Sequence, residues 1–268
     1  MLSWKCPVCS QELEKRDRIY VCPSGHSFDI AKQDYVNLLM SNKRSEKRHG
    51  DDKLMVASRQ SFLEKGYYEP LRRQLCLSAE KFARRGCAML DAGCGEGWYT
   101  GSVSAALGCS RTFGIDISRQ ALIAASKRGG MELAVSGVNA LPLPDGVLGL
   151  VMSVFAPCDA GEFRRVLAPD GVLLRAIPLE RHLYSLKAAI YDRPYENTVP
   201  SAELEGFRLL ERADVKGEAL LDNAADIRSL FMMTPYYYKT GRADQEKLER
   251  LDRLSTEIEF GVLAYKRL

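Results

Sequence analysis

The 268-residue chain has the length of one large domain with a small one beside it. Its hydrophobic fraction of 46% and charged fraction of 27% are ordinary for a globular protein, and no apolar run reaches the roughly 18 residues of a membrane span. The first residues also lack the apolar core of a secretory signal, which argues against a secreted or membrane protein. We therefore expect a cytoplasmic chain whose eight cysteines are metal ligands or core residues and not disulfides. The net charge of +3 is weak evidence for a nucleic-acid partner, because many metabolic enzymes share it.

Four potential metal ligands open the chain as two close pairs. Cys6 and Cys9 are followed, after twelve residues, by Cys22 and His26, in the pattern C-x2-C-x12-C-x3-H. Paired Cys and His ligands around a hairpin-sized spacer indicate a tetrahedral structural zinc site, because all four positions are filled by protein. So small a module buries little core, and the metal would supply much of its folding energy. The alternative is four core residues that share no metal.

A polar run over residues 41–53 separates this pattern from the rest. It is either a solvated linker, which we favour, or a basic segment that contacts RNA phosphates through Lys43, Arg44, Lys47, Arg48 and His49. Two helical patterns follow, one from Leu54 to the break at Gly66 and one from residue 67 to residue 85. We therefore predict a zinc-binding module at 1–40, a basic linker with helical lead-in at 41–85, and the main domain at 86–268.

The segment around which the main domain is organised is a glycine-rich turn after a short apolar strand. Gly93, Gly95 and Gly97 let the backbone turn sharply and approach a ligand, because none has a Cβ to clash. Asp91 directly precedes the turn and suits a ligand with a positive charge better than one with phosphates. S-adenosylmethionine, with an ammonium and a sulfonium, is such a ligand.

Strands and helices alternate after the turn, which predicts an α/β domain with a Rossmann-like, doubly wound parallel sheet. Asp116 ends the second strand, where the carboxyl ends of parallel strands line a ligand crevice, and its carboxylate can accept hydrogen bonds from a ribose diol. The competing role, capping the next helix, is assigned to Ser118. Strands are predicted at 87–91, 112–118, 131–135, 147–155, 172–177, 215–221 and 255–266.

Four blocks of this domain resemble class I S-adenosylmethionine-dependent methyltransferases: residues 90–97, 114–118, 141–145 and 167–171. Chains of that class often carry an acid just before the Leu-Pro pair to hold the adenine amine. This chain has Asn139 there, so the amide or the backbone must substitute, or the contact is absent.

The order of motifs over nearly the whole chain resembles a narrower family, the 23S ribosomal RNA (guanine-N1)-methyltransferases. The zinc pattern, Tyr35-Val36-Asn37-Leu38-Leu39, the glycine turn, the Phe-Ala-Pro-Cys segment at 155–158 and Met-Thr-Pro at 233–235 occur in sequence. The resemblance implies a homodimer, RNA selection by the zinc module, and cofactor contacts at Tyr68, Gly95, Glu96 and His182. One branch of the family is linked to tylosin-type macrolide resistance, and the motifs do not distinguish the branches.

Methyl transfer to guanine N1 requires a base extruded from its stack and a cleft with little water. We expect Phe155 and Tyr236 to stack on the guanine and the backbone carbonyls near Ala156 and Pro157 to hold its edge.

Asp159 and Glu162 are candidate proton acceptors, although surface carboxylates are usually only solvated. Cys158 is more readily explained by packing than by nucleophilic chemistry. Two alternatives to RNA methylation stay open: a small-molecule methyltransferase of the quinone or antibiotic type, and a zinc-containing RNA-binding protein that has lost catalysis.

Overall fold

The computed structural model describes residues 2–40 and 50–268 of the chain. The basic residues predicted to contact phosphates lie outside the described residues (Lys43, Arg44, Lys47, Arg48 and His49). The described strands are β1 (Glu14–Arg16), β2 (Ile19–Val21), β3 (Ser27–Asp29), β4 (Tyr35–Asn37), β5 (Ala88–Ala92), β6 (Arg111–Asp116), β7 (Glu132–Val135), β8 (Leu148–Val154), β9 (Leu167–Pro178), β10 (Phe207–Leu221) and β11 (Leu254–Arg267). The helices are α1 (Lys53–Glu64), α2 (Glu69–Phe82), α3 (Trp98–Leu107), α4 (Arg119–Ser126), α5 (Ala160–Val166), α6 (Tyr184–Ile190), α7 (Ala224–Met232) and α8 (Arg242–Leu248).

A large mixed sheet orders the main domain, with its strands in the order β10-β11-β9-β8-β5-β6-β7-β4. The pairs from β4 to β9 are parallel, whereas β11 runs antiparallel to both β9 and β10. The expected alternation of strands and helices is confirmed, but the sheet is not wholly parallel. Leu221 at the end of β10 lies opposite Leu254 at the start of β11. The connection therefore returns to the same edge of the sheet, and β11 runs in the opposite direction to β10.

The central strand β8 explains why the sheet needs cover on both faces. Leu148, Leu150, Val151 and Met152 are all fully buried, as expected of a parallel strand between two layers. Helices α1, α2, α3, α6 and α7 contribute to the apolar layer on one face. The zinc-ligand segment and α5 contribute to the layer on the other face.

The zinc-ligand segment packs directly on the main sheet. Strands β1, β2 and β3 form a small antiparallel sheet, and β4 then joins the edge of the main sheet beside β7. Trp4 is 1% exposed, and its ring meets Phe113 of β6 edge-on, with 4.9 Å between the ring centroids. The small segment therefore completes its core against the large domain. The division at residues 40 and 85 stays a prediction.

The two lead-in helices begin and end close to where the sequence predicts. Asp52 caps α1, because its Oδ1 accepts from the backbone N–H groups of Leu54 at 2.9 Å and Met55 at 3.0 Å. The predicted cap of α4 is also confirmed: the N–H of Ala121 donates to Oγ of Ser118 at 3.1 Å. Among the described residues, no helix combines the length and the apolar character that crossing a bilayer requires.

Candidate active site and metal centre

The glycine turn lies between β5 and α3 and forms one wall of a cavity of about 890 Å³. Gly93, Gly95 and Gly97 have φ angles of 88°, 54° and 79°, in the left-handed region that favours glycine. A Cβ added to Gly93 would lie 2.5 Å from Cβ of Ala156, which follows β8. The segments that follow β5 and β8 therefore lie in close contact, and a side chain at Gly93 would not fit between them.

Asp91 is a buried acid with half of its carboxylate unused. It is 2% exposed, and its Oδ2 accepts a hydrogen bond from the Thr100 hydroxyl at 2.6 Å. Its Oδ1 has no hydrogen-bond partner among the described residues. Burial raises the pKa of Asp91 to about 7, a shift that the Thr100 hydrogen bond opposes. A ligand ammonium at this position would supply the missing partner and favour the charged carboxylate.

Asp116 is held at the end of β6 by two backbone donors. Its Oδ2 accepts from the N–H of Gly95 at 2.9 Å, and its Oδ1 accepts from the N–H of Ser118 at 2.8 Å. Burial raises the pKa of Asp116, and these two hydrogen bonds oppose that rise. Each oxygen keeps a second lone pair, so the carboxylate can still accept from the two hydroxyls of a ribose.

Glu96 adds a second buried carboxylate to the turn. It is 2% exposed and accepts from Nε of Arg128 at 2.8 Å, while its Oε1 has no partner in the described part of the chain. Arg59 of α1 reaches the same wall, where it pairs with Asp51 and its Nη2 lies 3.4 Å from the Met233 carbonyl. Reasoning from the sequence missed Arg59, because nothing in the pattern of α1 distinguishes it from a solvated surface arginine.

Tyr68 and His182 meet in the cavity wall, although 114 positions separate them in the chain. The N–H of Glu259 donates to Nδ1 of His182 at 3.2 Å, so the ring hydrogen belongs on Nε2, which lies 3.3 Å from the Tyr68 hydroxyl. Burial, with a smaller effect from Lys187, lowers the pKa of His182 to about 3 and keeps the ring neutral. The ring is therefore a hydrogen-bond donor and not a base.

The structure brings all the cofactor residues named from the sequence around this one cavity: Tyr68, Asp91, Gly93, Gly95, Glu96, Asp116 and His182. Their contacts with a cofactor stay predictions. The cavity has the features that S-adenosylmethionine requires, with an orphaned carboxylate oxygen for the ammonium, a carboxylate for the ribose and a glycine cradle. Asn139, at the position where chains of the class often carry an acid, also lines the cavity.

Aromatic side chains form a second group of residues in the cavity wall. Phe155 is 44% exposed, has a φ of 55°, and lies nearly parallel to the His182 ring, with an interplanar angle of 16°. Pro157, Tyr236 and Arg175 line the same cavity. A flat base can enter here and stack on Phe155.

The two carboxylates named as proton acceptors have other roles. Oδ1 of Asp159 accepts from the N–H of Glu162 at 3.0 Å and caps α5. Glu162 pairs with Arg165 and accepts from the N–H of Leu141 at 2.7 Å, and these contacts lower its pKa. Neither residue is part of the cavity wall. Cys158 is half-buried and likewise lies outside that wall, in agreement with a packing role.

The zinc pattern closes into a cluster. One ligand atom from each of Cys6, Cys9, Cys22 and His26 lies within 4.8 Å of the others. Sγ of Cys22 lies 3.6 Å from Sγ of Cys9 and 3.3 Å from Nδ1 of His26. The backbone N–H of Gln11 contributes most to lowering the pKa of Cys9 to about 6, which favours the thiolate that a metal requires. This donor set fits a structural zinc ion.

Comparisons with known proteins agree with this arrangement. A zinc-ribbon family model described as "RlmA, N-terminal" matches residues 4–47, and a "Methyltransferase domain" model matches residues 89–171. A Streptomyces fradiae protein named 23S rRNA (guanine(748)-N(1))-methyltransferase is 36% identical over 190 residues, which cover 69% of this chain and 67% of the relative. A Bacillus subtilis protein, provisionally named as a 23S rRNA (guanine-N1)-methyltransferase, is 30% identical over 76% of this chain and 74% of its own length.

Solved structures share the fold at low sequence identity. A methyltransferase from Anaeromyxobacter dehalogenans gives a TM-score of 0.51 at 20% identity, covering 72% of this chain and 94% of its own. A chain from the complex of the Haloferax volcanii Trm112 methyltransferase activator with a methyltransferase gives 0.52 at 14% identity, covering 83% of this chain and 99% of its own. These likenesses show the class I methyltransferase fold.

Proposed function

Because the chain belongs to the family of 23S rRNA (guanine-N1)-methyltransferases, we propose that it transfers a methyl group from S-adenosylmethionine to N1 of a guanine in a hairpin loop of 23S rRNA. The observation that supports this most is that charged and aromatic residues line the same cavity. We assign the part of the cavity with the orphaned oxygen of Asp91 and the carboxylate of Asp116 to the cofactor, and call it the cofactor end; the part with Phe155 and Tyr236 is assigned to the acceptor, and is called the acceptor end. A cofactor and a flat acceptor base can therefore occupy one continuous space.

The cofactor end would hold its ligand by charge and by shape. Asp91 would bind the ammonium and Asp116 the ribose diol. The backbone of the glycine turn would lie close to the ligand, because no Cβ stands in the way. Glu96, Tyr68 and His182 complete the wall. When bound, the cofactor supplies an electrophilic methyl group, and the protein positions the acceptor against it and excludes water.

The acceptor end would receive a base that has left its stack. Phe155 offers an exposed ring, and the nearly parallel His182 ring has its centroid 6.4 Å away. Stacking of a single-stranded base on an aromatic side chain is worth about 1–3 kcal/mol. Tyr236 lines the same cavity and would be a second residue on which the guanine can stack. Pro157 would contribute its backbone carbonyl to the guanine edge.

Further proposals rest on the family and on the zinc cluster. The zinc ion is structural, and the module that it stabilises contributes to the selection of RNA. We also propose a cytoplasmic homodimer that methylates one of two neighbouring guanines. If this chain belongs to the branch that the family resemblance links to tylosin-type macrolide resistance, its gene would protect the cell from tylosin. Growth in tylosin, with and without the gene, tests this last point.

Primer extension tests the proposed reaction. 23S rRNA from a strain that lacks the gene is incubated with the purified protein and labelled S-adenosylmethionine. We expect label in the RNA and a reverse-transcriptase stop at one guanine, because N1 methylation blocks base pairing. The variant Phe155→Ala should lower the rate, whereas Tyr195→Ala, in which an exposed ring outside the cavity is removed, should not. Label found only in protein or small molecules would exclude the proposal.

A further inference from the structure

Arg175 is a cation in the cavity wall that the proposed chemistry leaves without a role. It lies near the carboxyl end of β9, opposite Ser153 of β8 and Leu263 of β11 in the sheet register. The next residue, Ala176, accepts a hydrogen bond at its carbonyl from the N–H of Phe155 at 3.1 Å. Arg175 therefore lies one residue from the backbone contact that holds the stacking residue, at the acceptor end of the cavity.

No carboxylate pairs with Arg175 within residues 2–40 and 50–268. The acids of the cavity wall are Asp51, Asp91, Glu96 and Asp116, and all of them contact or flank the glycine turn or Arg59. A second observation places a hydroxyl, and not an acid, beside the guanidinium. Burial raises the pKa of Tyr265, and Arg175 opposes that shift, while the Tyr265 hydroxyl donates to the Ala202 carbonyl at 3.0 Å. The guanidinium also lies near Cys158, the residue after Pro157, where it likewise opposes a pKa rise caused by burial. An arginine has five N–H donors, so the guanidinium keeps donors for a ligand beside its contact with the Tyr265 hydroxyl.

Guanine presents two acceptors that fit these donors. Its O6 and N7 lie side by side, and a bidentate arginine contact to them is the commonest specific contact to this base. The N1 position lies on the far side of O6 and remains free to face a methyl donor. Adenine carries an amino group in place of O6, so its N–H donors would face the N–H donors of the guanidinium and no hydrogen bond would form there.

We propose, on the basis of the proposed function, that Arg175 donates hydrogen bonds to O6 and N7 of the acceptor guanine. This contact selects guanine over adenine and stabilises the base once N1 has lost its proton. The negative charge of the N1-deprotonated base is shared with O6, where the guanidinium lies. The contact therefore makes N1 more acidic, and hydroxide or water from the solvent that reaches the exposed Phe155 can take the proton before the methyl group is transferred.

The step balances without a protein base. The N1–H proton passes to solvent, and the N1 lone pair forms the new bond to the methyl carbon. The electron pair of the broken carbon–sulfur bond stays on sulfur, so an anionic base and a sulfonium become a neutral methylguanine and a neutral thioether. Two polar groups that could otherwise take the proton have other roles: His182 carries its hydrogen on Nε2, and Asp159 caps a helix.

Single-turnover rates measured against pH test the assignment. The substrates are an RNA hairpin with guanine at the methylated position and the same hairpin with 7-deazaguanine, which lacks the N7 acceptor. The variants are Arg175→Met, Arg175→Lys and the control Arg208→Met, which removes an exposed arginine of β10 outside the cavity. Binding of S-adenosylmethionine, measured by calorimetry, should be equal in all of them and shows that each is folded.

For Arg175→Met we expect a rate at neutral pH that is lower by roughly 100-fold, and a pH–rate curve displaced upward by about one unit or more. The 7-deaza substitution should slow the wild type by about tenfold and leave Arg175→Met unaffected, because the lost partner is already absent. Arg175→Lys retains the positive charge, so its pH–rate curve should lie close to that of the wild type. The 7-deaza substitution should not slow this variant, because lysine cannot make the bidentate contact.

Two results would overturn the inference. One is a weaker RNA affinity of Arg175→Met with an unchanged pH–rate curve, which assigns the side chain to a phosphate. The other is an equal 7-deaza effect in the wild type and in Arg175→Met. If the wild type fails to methylate the guanine hairpin and rRNA alike, the proposed function itself fails, and the inference fails with it.

Discussion

Replacing Asp91 with asparagine should have opposite effects on folding and on cofactor binding. Burial raises the pKa of this carboxyl from 3.8 to about 7, so the folded protein holds a proton that the unfolded chain has released between about pH 4 and pH 7. The free energy of unfolding therefore falls as the pH rises through that window. The shift of ~3 units corresponds to about 4 kcal/mol at pH 8.

The amide does not carry this cost, although its NH2 group would be left without a partner at the position of Oδ1, at about 1–3 kcal/mol. Ligand-free Asp91→Asn should consequently be more stable than the wild type by about 1–3 kcal/mol at pH 8, and not more stable at pH 4.5. Its affinity for S-adenosylmethionine should fall by roughly 10–150-fold, because the ammonium loses a charged acceptor worth about 1.5–3 kcal/mol.

Urea unfolding at both pH values and calorimetric titration with S-adenosylmethionine measure the two effects. The exposed acid Asp252 supplies the control, since Asp252→Asn should change neither quantity. Equal cofactor affinity in Asp91→Asn and the wild type would show that the orphaned oxygen is not the ammonium partner. A stability difference that does not depend on pH would contradict the assignment of the raised pKa.

Two further predictions concern the metal centre and the glycine turn. Cys9→Ser should lower the zinc content, measured by elemental analysis, from one ion per chain toward zero and lower the melting temperature, while cofactor affinity stays within about threefold; Cys76→Ser, outside the cluster, should keep the zinc. Gly93→Ala should weaken cofactor binding by more than about tenfold, because its Cβ would lie 2.5 Å from Cβ of Ala156. Gly146→Ala shares the positive φ without a nearby atom and should bind normally, so equal losses in both variants would mean that backbone strain and not contact is responsible.

The sequence was most informative where function depends on short spacing. Cys6, Cys9, Cys22 and His26 come together because each pair lies within one turn of chain, and a three-stranded sheet brings the pairs into contact. Asp116 could be placed because a strand that ends in an acid after a glycine turn fixes where the carboxylate points. The fold class followed from the same alternation of strands and helices.

The sequence could not distinguish the roles that one residue type can take. Asp159 follows a buried strand, where a catalytic acid would also stand, but its carboxylate caps α5. Nor does the pattern show that Trp4 completes its core on Phe113, since the zinc segment reads as an independent module. The antiparallel entry of β11 depends on where its connection returns, which no local pattern records.

Local spacing by itself therefore determined which residues form the Cys/His cluster and the glycine turn, because residues close in the chain cannot be far apart in space. It also placed Asp116 at a strand end, while its contact with a ribose stays a prediction. Only the tertiary structure decided which distant side chains share the cavity. His182 meets Tyr68 across 114 positions, and Arg59 reaches the Met233 carbonyl across 174. Such pairs are set by how helices pack over the sheet, and Arg175 acquires its place in the cavity wall from the pairing of β9 with β8 and β11.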